Sequence, residues 1–456
     1  MKRIFLTLTV LFAGISCLFS QTNLPAGYYF KTLSNGLDVL VVIDKSVPIA
    51  TIEINVKNGA YTESPEYSGL SHFYEHMFFK ANKDLPSQEA YIERTKELGI
   101  SWNGTTSTNR VNYFFTLPSS NLDEGLKFMN SAIRYPLFLE QEMTNEHPVV
   151  NGEFQRGESS PEFNLYYEFQ EKMWGKDKSR KIPIGDHDVI LSATPEKMRT
   201  IQQKYYWPNN SLLIVAGDVD QNDVFTRVEN IFADWQPSGF DPFEKYPVPE
   251  FKPIKEDTYF VTTSPNTQAP VVYIGWHGPD TRNDVQATYT ADVFSTIVNL
   301  ESSKFSKELI DAGLALEANL HYSTDIYTGP ISIRIVPNPE KIKECLAKLE
   351  EHIAMWDSDN YFTDEQMQTA KNQLAIGEKY NMEQTSGYAH SLGYNWALKD
   401  LDYGFKYIEN NNKVTRSDIK NYVRKYIKDK PRVSGILLSP GMKSAMNISK
   451  FEDLLN

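Results

Sequence analysis

Three residues within one helical turn, His72, Glu75 and His76, are the part of this sequence best suited to chemistry. On a helix, positions i, i+3 and i+4 share a face, so both imidazoles and the carboxylate point the same way. Zinc takes neutral histidine nitrogens at about 2 Å. The spacing therefore predicts that His72 and His76 bind Zn²⁺ and that Glu75 reaches a metal-bound water. A motif with only three fixed positions also occurs by chance, so the alternative of two solvated histidines on a helix surface remains open.

The stretch around this triad, Gly69 to Lys80 (GLSHFYEHMFFK), closely resembles the signature of the insulinase/pitrilysin family of zinc peptidases. Its H-x-x-E-H order is the reverse of H-E-x-x-H and is the arrangement found in inverzincins. The resemblance extends over nearly the whole mature chain. It implies a zinc metalloendopeptidase with one Zn²⁺ per chain, in which Glu75 is the general base that activates water to hydrolyse peptides or unfolded polypeptides.

The same resemblance implies a third ligand from a later helix. Glu153 follows His76 by 77 residues, which fits the usual interval in the family and makes Glu153 the expected ligand. Glu146 lies two helical turns before Glu153 and so shares its face; the resemblance makes Glu146 a supporting carboxylate. Composition alone would favour the alternative that Glu146 and Glu153 are two solvated charges on a helix. Pro148 departs from the family pattern: it either kinks this helix or lies in its first turn.

The family's substrate-binding edge strand matches residues 101–107. The resemblance therefore implies that substrate binds there as an added strand, with Asn103 as a backbone contact. The alternative is that Asn103 is a turn residue before Gly104.

A second pair of family residues, an arginine and a tyrosine that face the substrate, is missing from the matching positions. With Gly313–Ala315 fixing the register, Ile310 stands in place of the arginine and Leu316 in place of the tyrosine. The resemblance therefore implies that this chain is the zinc-bearing subunit of a heterodimer and that a second homologous subunit supplies the Arg/Tyr pair. The alternative is a homodimer that uses other donors, such as Tyr322 or Arg334.

The N-terminus predicts export. Residues 1–21 have the pattern of a signal peptide, two basic residues followed by an apolar segment over 4–19, which is short for a membrane span. We expect a periplasmic protein without a transmembrane span. Lipidation of Cys17 is an alternative that would tether the chain to a membrane. The other cysteine, Cys345, then has no partner for an internal disulfide.

Length and charge limit the architecture and the partners. The chain has 456 residues, 41% of them hydrophobic, and a net charge of −13, which argues against nucleic acid as a partner. We predict an α+β fold of two homologous α/β-sandwich domains, each a mostly antiparallel sheet packed with helices, which together form one half of a clamshell. The expected domains are 22–238, which holds zinc, and 258–456, joined by a proline-rich linker at 239–257.

Local patterns in the first half predict individual strands. Asn35-Gly36 between two apolar runs predicts a hairpin. Ile52, Ile54 and Val56 alternate with polar residues, which predicts a half-buried strand.

Two rival functions remain beside peptide hydrolysis. One is a non-catalytic scaffold of the same family, although such members usually lack the zinc ligands that are present here. The other is a peptide-binding subunit without turnover.

Overall fold

Two β-sheets, one from each half of the chain, organise the protein. A computed structural model describes residues 24–455. The predicted signal peptide at 1–21 and Cys17 therefore lie outside the described residues.

The first sheet has six strands in the order β1-β2-β6-β3-β5-β4, and only the β2–β6 pair is parallel. The strands are β1 Tyr28–Thr32, β2 Asp38–Ile43, β3 Ile49–Val56, β4 Ser101–Thr106, β5 Val111–Pro118 and β6 Ser211–Gly217. The helices of this half are α1 Leu70–Phe78, α2 Gln88–Leu98, α3 Leu122–Arg134, α4 Glu140–Glu158, α5 Pro161–Trp174, α6 His187–Leu191, α7 Pro195–Tyr205, α8 Gln221–Phe232 and α9 Pro242–Lys245.

The second sheet has five strands in the order β7-β11-β8-β10-β9, and again one pair, β7–β11, is parallel. The strands are β7 Thr258–Thr263, β8 Val271–His277, β9 Ala315–Tyr322, β10 Pro330–Pro337 and β11 Val433–Leu438. The helices are α10 Val285–Asn299, α11 Lys304–Ser306, α12 Ile342–Met355, α13 Asp364–Glu383, α14 Thr385–Leu398, α15 Leu401–Phe405, α16 Tyr407–Lys413, α17 Arg416–Tyr426 and α18 Pro440–Ala445. The predicted fold class, two helix-packed and mostly antiparallel sheets, is confirmed.

Strand β3 corrects one expectation. The predicted hairpin is present as β1 and β2, but β3 is buried on both faces rather than on one. Ile52, Ile54 and Val56 lie in the main core, while Glu53 and Asn55 on the opposite face are also completely buried. The reason is that a helix from the other half of the chain covers the second face.

The two halves exchange helices. Helix α5, from the first half, packs Leu165 and Phe169 against Val433 of the second sheet. Helix α14, from the second half, packs Leu392 against Ile214 of the first sheet. Each sheet therefore has its own helices on one face and a helix from the other half on the opposite face.

The predicted linker at 239–257 is packed rather than loose. It contains the short helix α9, and Phe251 is buried with Trp174 and other residues of both halves. The ring centroids of Phe251 and Trp174 are 4.7 Å apart. The segment thus contributes to the contact between the halves. Among residues 24–455, no helix is both long enough and apolar enough to cross a bilayer.

Candidate metal centre

Helix α1 carries the H-x-x-E-H motif, and its first turn is held by a buried carboxyl group. Glu63 accepts hydrogen bonds at 2.7 Å from the main-chain N–H groups of both Gly69 and Ser71. A carboxyl group at a helix N-terminus satisfies N–H groups that have no partner within the helix. Gly69 has φ 85°, and a Cβ there would lie 2.8 Å from Cα of Gly185, so both conformation and space require glycine. The motif helix therefore starts at a fixed point.

The rest of α1 is enclosed by apolar residues. Phe73, Tyr74, Met77 and Phe78 are buried, whereas His72 and His76 are only partly buried. The ring of Phe78 stacks on Tyr113 of β5 with centroids 3.8 Å apart. A helix that is apolar around most of its surface belongs in a core. The two histidines lie on its one accessible face.

Three donor groups meet at that face. Nε2 of His72 lies 3.6 Å from Oε2 of Glu153, and Nε2 of His76 lies 3.8 Å from the same oxygen. One ligand atom from each of the three residues lies within 4.8 Å of the other two. Glu153 comes from α4, and its side chain is 33% exposed. The structure therefore brings together all three residues that were predicted as metal ligands.

This geometry fits zinc. With zinc–ligand bonds of about 2.1 Å, tetrahedral geometry places neighbouring ligand atoms about 3.4 Å apart. The observed 3.6 and 3.8 Å need only small side-chain movements. Two imidazoles and one carboxylate also match the donor set of catalytic zinc sites, which keep one position open.

The protonation state of His72 suits a cation. Burial lowers the pKa of His72 to about 3, and repulsion from His76 acts in the same direction. His72 is therefore neutral and can donate its nitrogen lone pair to a metal.

Glu146 is placed behind His76, where the resemblance predicted a supporting carboxylate. Its Oε1 lies 2.8 Å from Nδ1 of His76, and its Oε2 pairs with the buried ammonium of Lys80. Burial by itself would raise the pKa of Glu146, but the hydrogen bonds from His76 and Lys80 outweigh it and hold the pKa below its usual range. An ionised acceptor at Nδ1 leaves Nε2 of His76 free to face the metal.

Glu75 lies beside the three donors and is held by strand β4. Its Oε2 accepts a hydrogen bond of 2.6 Å from Oγ1 of Thr106. A Cβ at Gly104 would lie 2.9 Å from Cγ of Glu75, so only glycine leaves room for this carboxylate. Burial raises the pKa of Glu75, and the Thr106 bond partly offsets that effect. Neither contact could be predicted from the sequence, because both depend on how β4 packs against α1.

Strand β4 is an edge strand, and its open side is close to Glu75. The N–H of Ser107 donates to the carbonyl of Arg110 across the β4–β5 turn at 2.9 Å. Every second residue of an antiparallel strand directs its main-chain groups to the neighbouring strand, so the N–H groups of Gly104 and Thr106 point away from β5. Asn103 is a strand residue, not a turn residue, and its own main chain faces β5. Its side-chain Oδ1 accepts from the N–H of Gly104 at 2.9 Å. The main-chain groups at the open edge therefore belong to Gly104 rather than to Asn103.

Strand β9 is the corresponding edge of the second sheet, and it is partly closed. The side-chain amide of Asn299 donates to the carbonyl of Leu320 at 2.8 Å and accepts from its N–H at 2.9 Å. It thus takes the place of a neighbouring strand at that residue.

Helix α4 continues through Pro148, which lies in its interior. Of the two alternatives for Pro148, the structure therefore shows the position inside the helix.

Glu142, earlier on α4, accepts from the N–H of Ala81 at 3.0 Å and from the N–H of Gln88 at 2.8 Å. These bonds fix α4 against the end of α1 and the start of α2. They help to bring Glu153, which is far away in sequence, to the histidines.

Ile310 and Leu316 offer no polar donor. Ile310 packs against the core of the second half, and Leu316 on β9 is 60% exposed. Neither aliphatic side chain can hydrogen-bond a substrate.

The two other donors considered for a homodimer are engaged within the chain. The hydroxyl of Tyr322 donates to the carbonyl of Pro279 at 3.0 Å. The guanidinium of Arg334 binds Glu162 through Nε and Nη2, at 2.5 and 2.9 Å, and pairs with Glu317 through Nη1.

Two sequence profiles of one peptidase family match this chain. The profile described as "Insulinase (Peptidase family M16)" matches residues 39–182, which include the H-x-x-E-H motif and Glu153. The profile described as "Peptidase M16 inactive domain" matches residues 192–374. Together these ranges span most of the chain.

Individual relatives agree with the profiles. A Rickettsia felis protein described as an uncharacterized zinc protease is 25% identical over 373 residues, 81% of this chain and 87% of its own. A Helicobacter pylori protease structure has a TM-score of 0.79 at 23% identity and covers 90% of this chain and 99% of its own. The Escherichia coli periplasmic protease PqqL has a TM-score of 0.70 at 16% identity, and the match covers 95% of this chain but 50% of PqqL.

Proposed function

This chain belongs to the insulinase family of peptidases (peptidase family M16), and on that premise we propose that it is the catalytic, zinc-bearing subunit of a zinc metalloendopeptidase. Its substrates are peptides or unfolded polypeptides. The observation that carries the proposal is the meeting of His72, His76 and Glu153 within 4.8 Å, with the carboxylate of Glu75 on the same helix face.

We assign roles to five residues. His72, His76 and Glu153 would hold one Zn²⁺ per chain, which supplies a Lewis acid that polarises the scissile carbonyl and makes water easier to deprotonate. Glu75 takes the proton from the attacking water and delivers it to the leaving amine. Glu146 keeps His76 in the correct tautomer and orientation.

The substrate is proposed to bind along β4. An extended peptide can pair with an open sheet edge through main-chain hydrogen bonds. The outward main-chain groups of Gly104 and Thr106 are next to Glu75, so a peptide paired there would pass the base. Asn103 would contribute by releasing the N–H of Gly104, which its side chain binds in the free chain. The edge of β9 is less suitable because the side chain of Asn299 already binds the main-chain N–H and carbonyl of Leu320.

We further propose that a second homologous subunit completes the active site. The chain matches half of PqqL, so that protease has the length of two such units. Ile310 and Leu316 cannot stabilise a developing oxyanion, which requires placed hydrogen-bond donors. Tyr322 and Arg334 are already bound to groups of their own chain. These contacts favour a heterodimer over a homodimer.

The proposed location is the periplasm. It rests on the signal-peptide pattern at residues 1–21 and on the description of PqqL as periplasmic.

The function is tested by cleavage of an unstructured peptide. The zinc-loaded chain, with and without a homologue that carries the Arg/Tyr pair, is compared with its Glu75→Gln variant. We expect the pair of chains to cleave, a chelator to stop cleavage, and Glu75→Gln to keep its zinc but lose about 10²–10⁴-fold in rate, the usual contribution of a positioned general base. Cleavage by Glu75→Gln at the parent rate would refute the assigned base. Stoichiometric zinc without cleavage by either preparation would favour the scaffold or peptide-binding alternative.

Native mass measurement tests the partner. The proposal expects activity to follow the heterodimer. A homodimer with full turnover in the absence of a second chain would overturn it.

A further inference from the structure

The turn between β4 and β5 is held by the second half of the chain. Asn109, at this turn, is completely buried, and its Nδ2 donates to Oδ1 of Asp325 at 2.7 Å and to the hydroxyl of Tyr394 at 3.2 Å. Its Oδ1 accepts from the N–H of Ile326 at 3.0 Å. Lys181 pairs with the other oxygen of Asp325, and both side chains of that pair are buried. The tip of the hairpin is therefore bound by polar groups that are buried or partly buried.

A second set of buried contacts joins the same hairpin to α14. Arg110 donates through Nη1 to the main-chain carbonyl of His390 at 2.9 Å and to Oε1 of Glu53 at 3.3 Å. Nδ1 of His390 pairs with Oε2 of Glu53, which is completely buried. The His390 ring also lies 4.3 Å from the ring of Phe114 on β5.

This cluster extends to β4. Asn112 donates to Oε1 of Glu53 at 2.7 Å, and its own Oδ1 accepts from the hydroxyl of Thr105. Thr105 and Asn112 are cross-strand partners. The next residue, Thr106, binds Glu75 from the opposite face of the sheet. Strand β4 is thus fixed on one face by the motif helix and on the other by a chain of contacts that ends in the second half.

We propose that the second half positions the active-site edge strand. We call Asn109, Arg110, Asp325, His390 and Tyr394 the hairpin latch. The latch keeps β4 paired with β5, so that the main-chain groups of the open edge stay at a fixed distance from Glu75. Its members are positioning residues, because no hydrogen bond, ion pair or ring contact among residues 24–455 joins any of them to the three proposed metal ligands or to Glu75. This inference rests on the proposed function for its link to substrate binding, but the order of β4 can be measured without any activity.

An edge strand has neighbours on one side only. Strand β4 is six residues long and pairs only with β5 among residues 24–455. A substrate that adds to an edge needs that edge to be ordered beforehand, since ordering it on binding lowers the affinity. Buried polar contacts are lost with a large penalty, so they resist local opening of the hairpin. The second half therefore contributes to the peptidase site without reaching it.

The test uses two substitutions on α14. His390→Ala removes the imidazole but keeps the main-chain carbonyl that binds Arg110, and Tyr394→Phe removes only the hydroxyl that binds Asn109. Amide hydrogen exchange is followed at Asn103 and Thr105, whose N–H groups face β5. For the double variant we expect exchange at these amides to be at least about fivefold faster, the factor for one net hydrogen bond of about 1 kcal/mol. We expect the KM for a peptide to rise by a similar factor, with zinc affinity unchanged.

The controls separate a local effect from a global one. Tyr426→Phe also removes a tyrosine hydroxyl of the second half, one that donates to Asp284 at 2.7 Å away from the hairpin, and should leave β4 unchanged. His390→Asn can again donate to Glu53 and should restore most of the protection. If the double variant does not fold, the same exchange measurement is made on the single variant Tyr394→Phe.

The outcomes distinguish the two proposals. Faster exchange at β4, with no hydrolysis either by the chain alone or by the pair of chains, supports the latch and refutes the proposed function. An active chain whose β4 exchange and KM do not respond overturns the latch. Equal acceleration in β2 and β4 also overturns it, because the substitutions would then act on overall stability.

Discussion

Nδ1 of His76 lies 2.8 Å from Oε1 of Glu146, and the second oxygen of that carboxylate is bound by the buried Lys80. Glu146 is therefore held from both sides and can hold the imidazole in turn. Its contact is with the ring nitrogen that faces away from the other two donors. The candidate metal centre thus includes a partner that orients one of its proposed ligands.

Glu146→Gln is expected to weaken zinc binding about 10- to 100-fold, the usual effect of losing an outer partner of a metal-binding histidine. Glutamine keeps the volume but removes the charge that stabilises the imidazole tautomer. Competition with a chromogenic chelator measures the affinity. Glu140→Gln, an exposed substitution on the same helix, is the control. Unchanged zinc affinity in Glu146→Gln would mean that packing alone orients His76.

Glu153→Gln should lower zinc affinity by more than the roughly 100-fold upper limit for an outer partner, because a ligand itself is lost. Peptide cleavage should stop with it. The exposed Glu158→Gln, five residues later on α4, should bind zinc like the parent. If Glu153→Gln kept the parent affinity, Glu153 would not be a ligand.

Gly104→Ala is expected to reduce kcat about 10²-fold, because a Cβ at 2.9 Å from Cγ of Glu75 must displace the base, and displacements near 1 Å have effects of this size. Zinc content should not change, since Glu75 is not a proposed ligand. Gly152→Ala is the matched control: its Cβ meets nothing within 4 Å, although it adjoins Glu153. Parent-like kcat in Gly104→Ala would show that the close approach to Glu75 is not needed.

Asp292 on α10 predicts a pH dependence of stability that is independent of the metal centre. Burial raises its pKa to about 7, and the hydrogen bond from Tyr407 offsets this only in part. The folded chain therefore binds a proton here that the unfolded chain releases above its ordinary pKa of 3.8. The free energy of unfolding should fall as pH rises from about 4 to about 7 and then level off.

Asp292→Asn stays neutral and should lose this dependence. Relative to the parent, the variant should gain up to about 3 kcal/mol between about pH 5 and pH 8, from about two pKa units at 1.36 kcal/mol each. Urea unfolding of the metal-free chain measures the difference without interference from zinc. Asp429→Asn, at an exposed position, should follow the parent at every pH. A constant difference between Asp292→Asn and the parent would contradict the raised pKa.

Local sequence was sufficient for features that depend on a few neighbouring residues. The shared face of His72, Glu75 and His76 follows from helix geometry alone. The β1–β2 hairpin follows from Asn35-Gly36, because that pair favours the tight turn. Apolar alternation likewise predicted the strand that contains Ile52, Ile54 and Val56, because a strand with one apolar face shows this period whatever covers its other face.

Tertiary structure decided which element packs against each buried face. Periodicity could not show that α14 covers the second face of β3, so Glu53 and Asn55 were expected on a solvated face and are instead buried. Nor could it place Thr106 and Gly104 against Glu75, because that contact joins a strand and a helix whose packing no local pattern encodes. Hydrophobic burial is non-directional: a sequence specifies that a face is buried, and only the fold selects its partner.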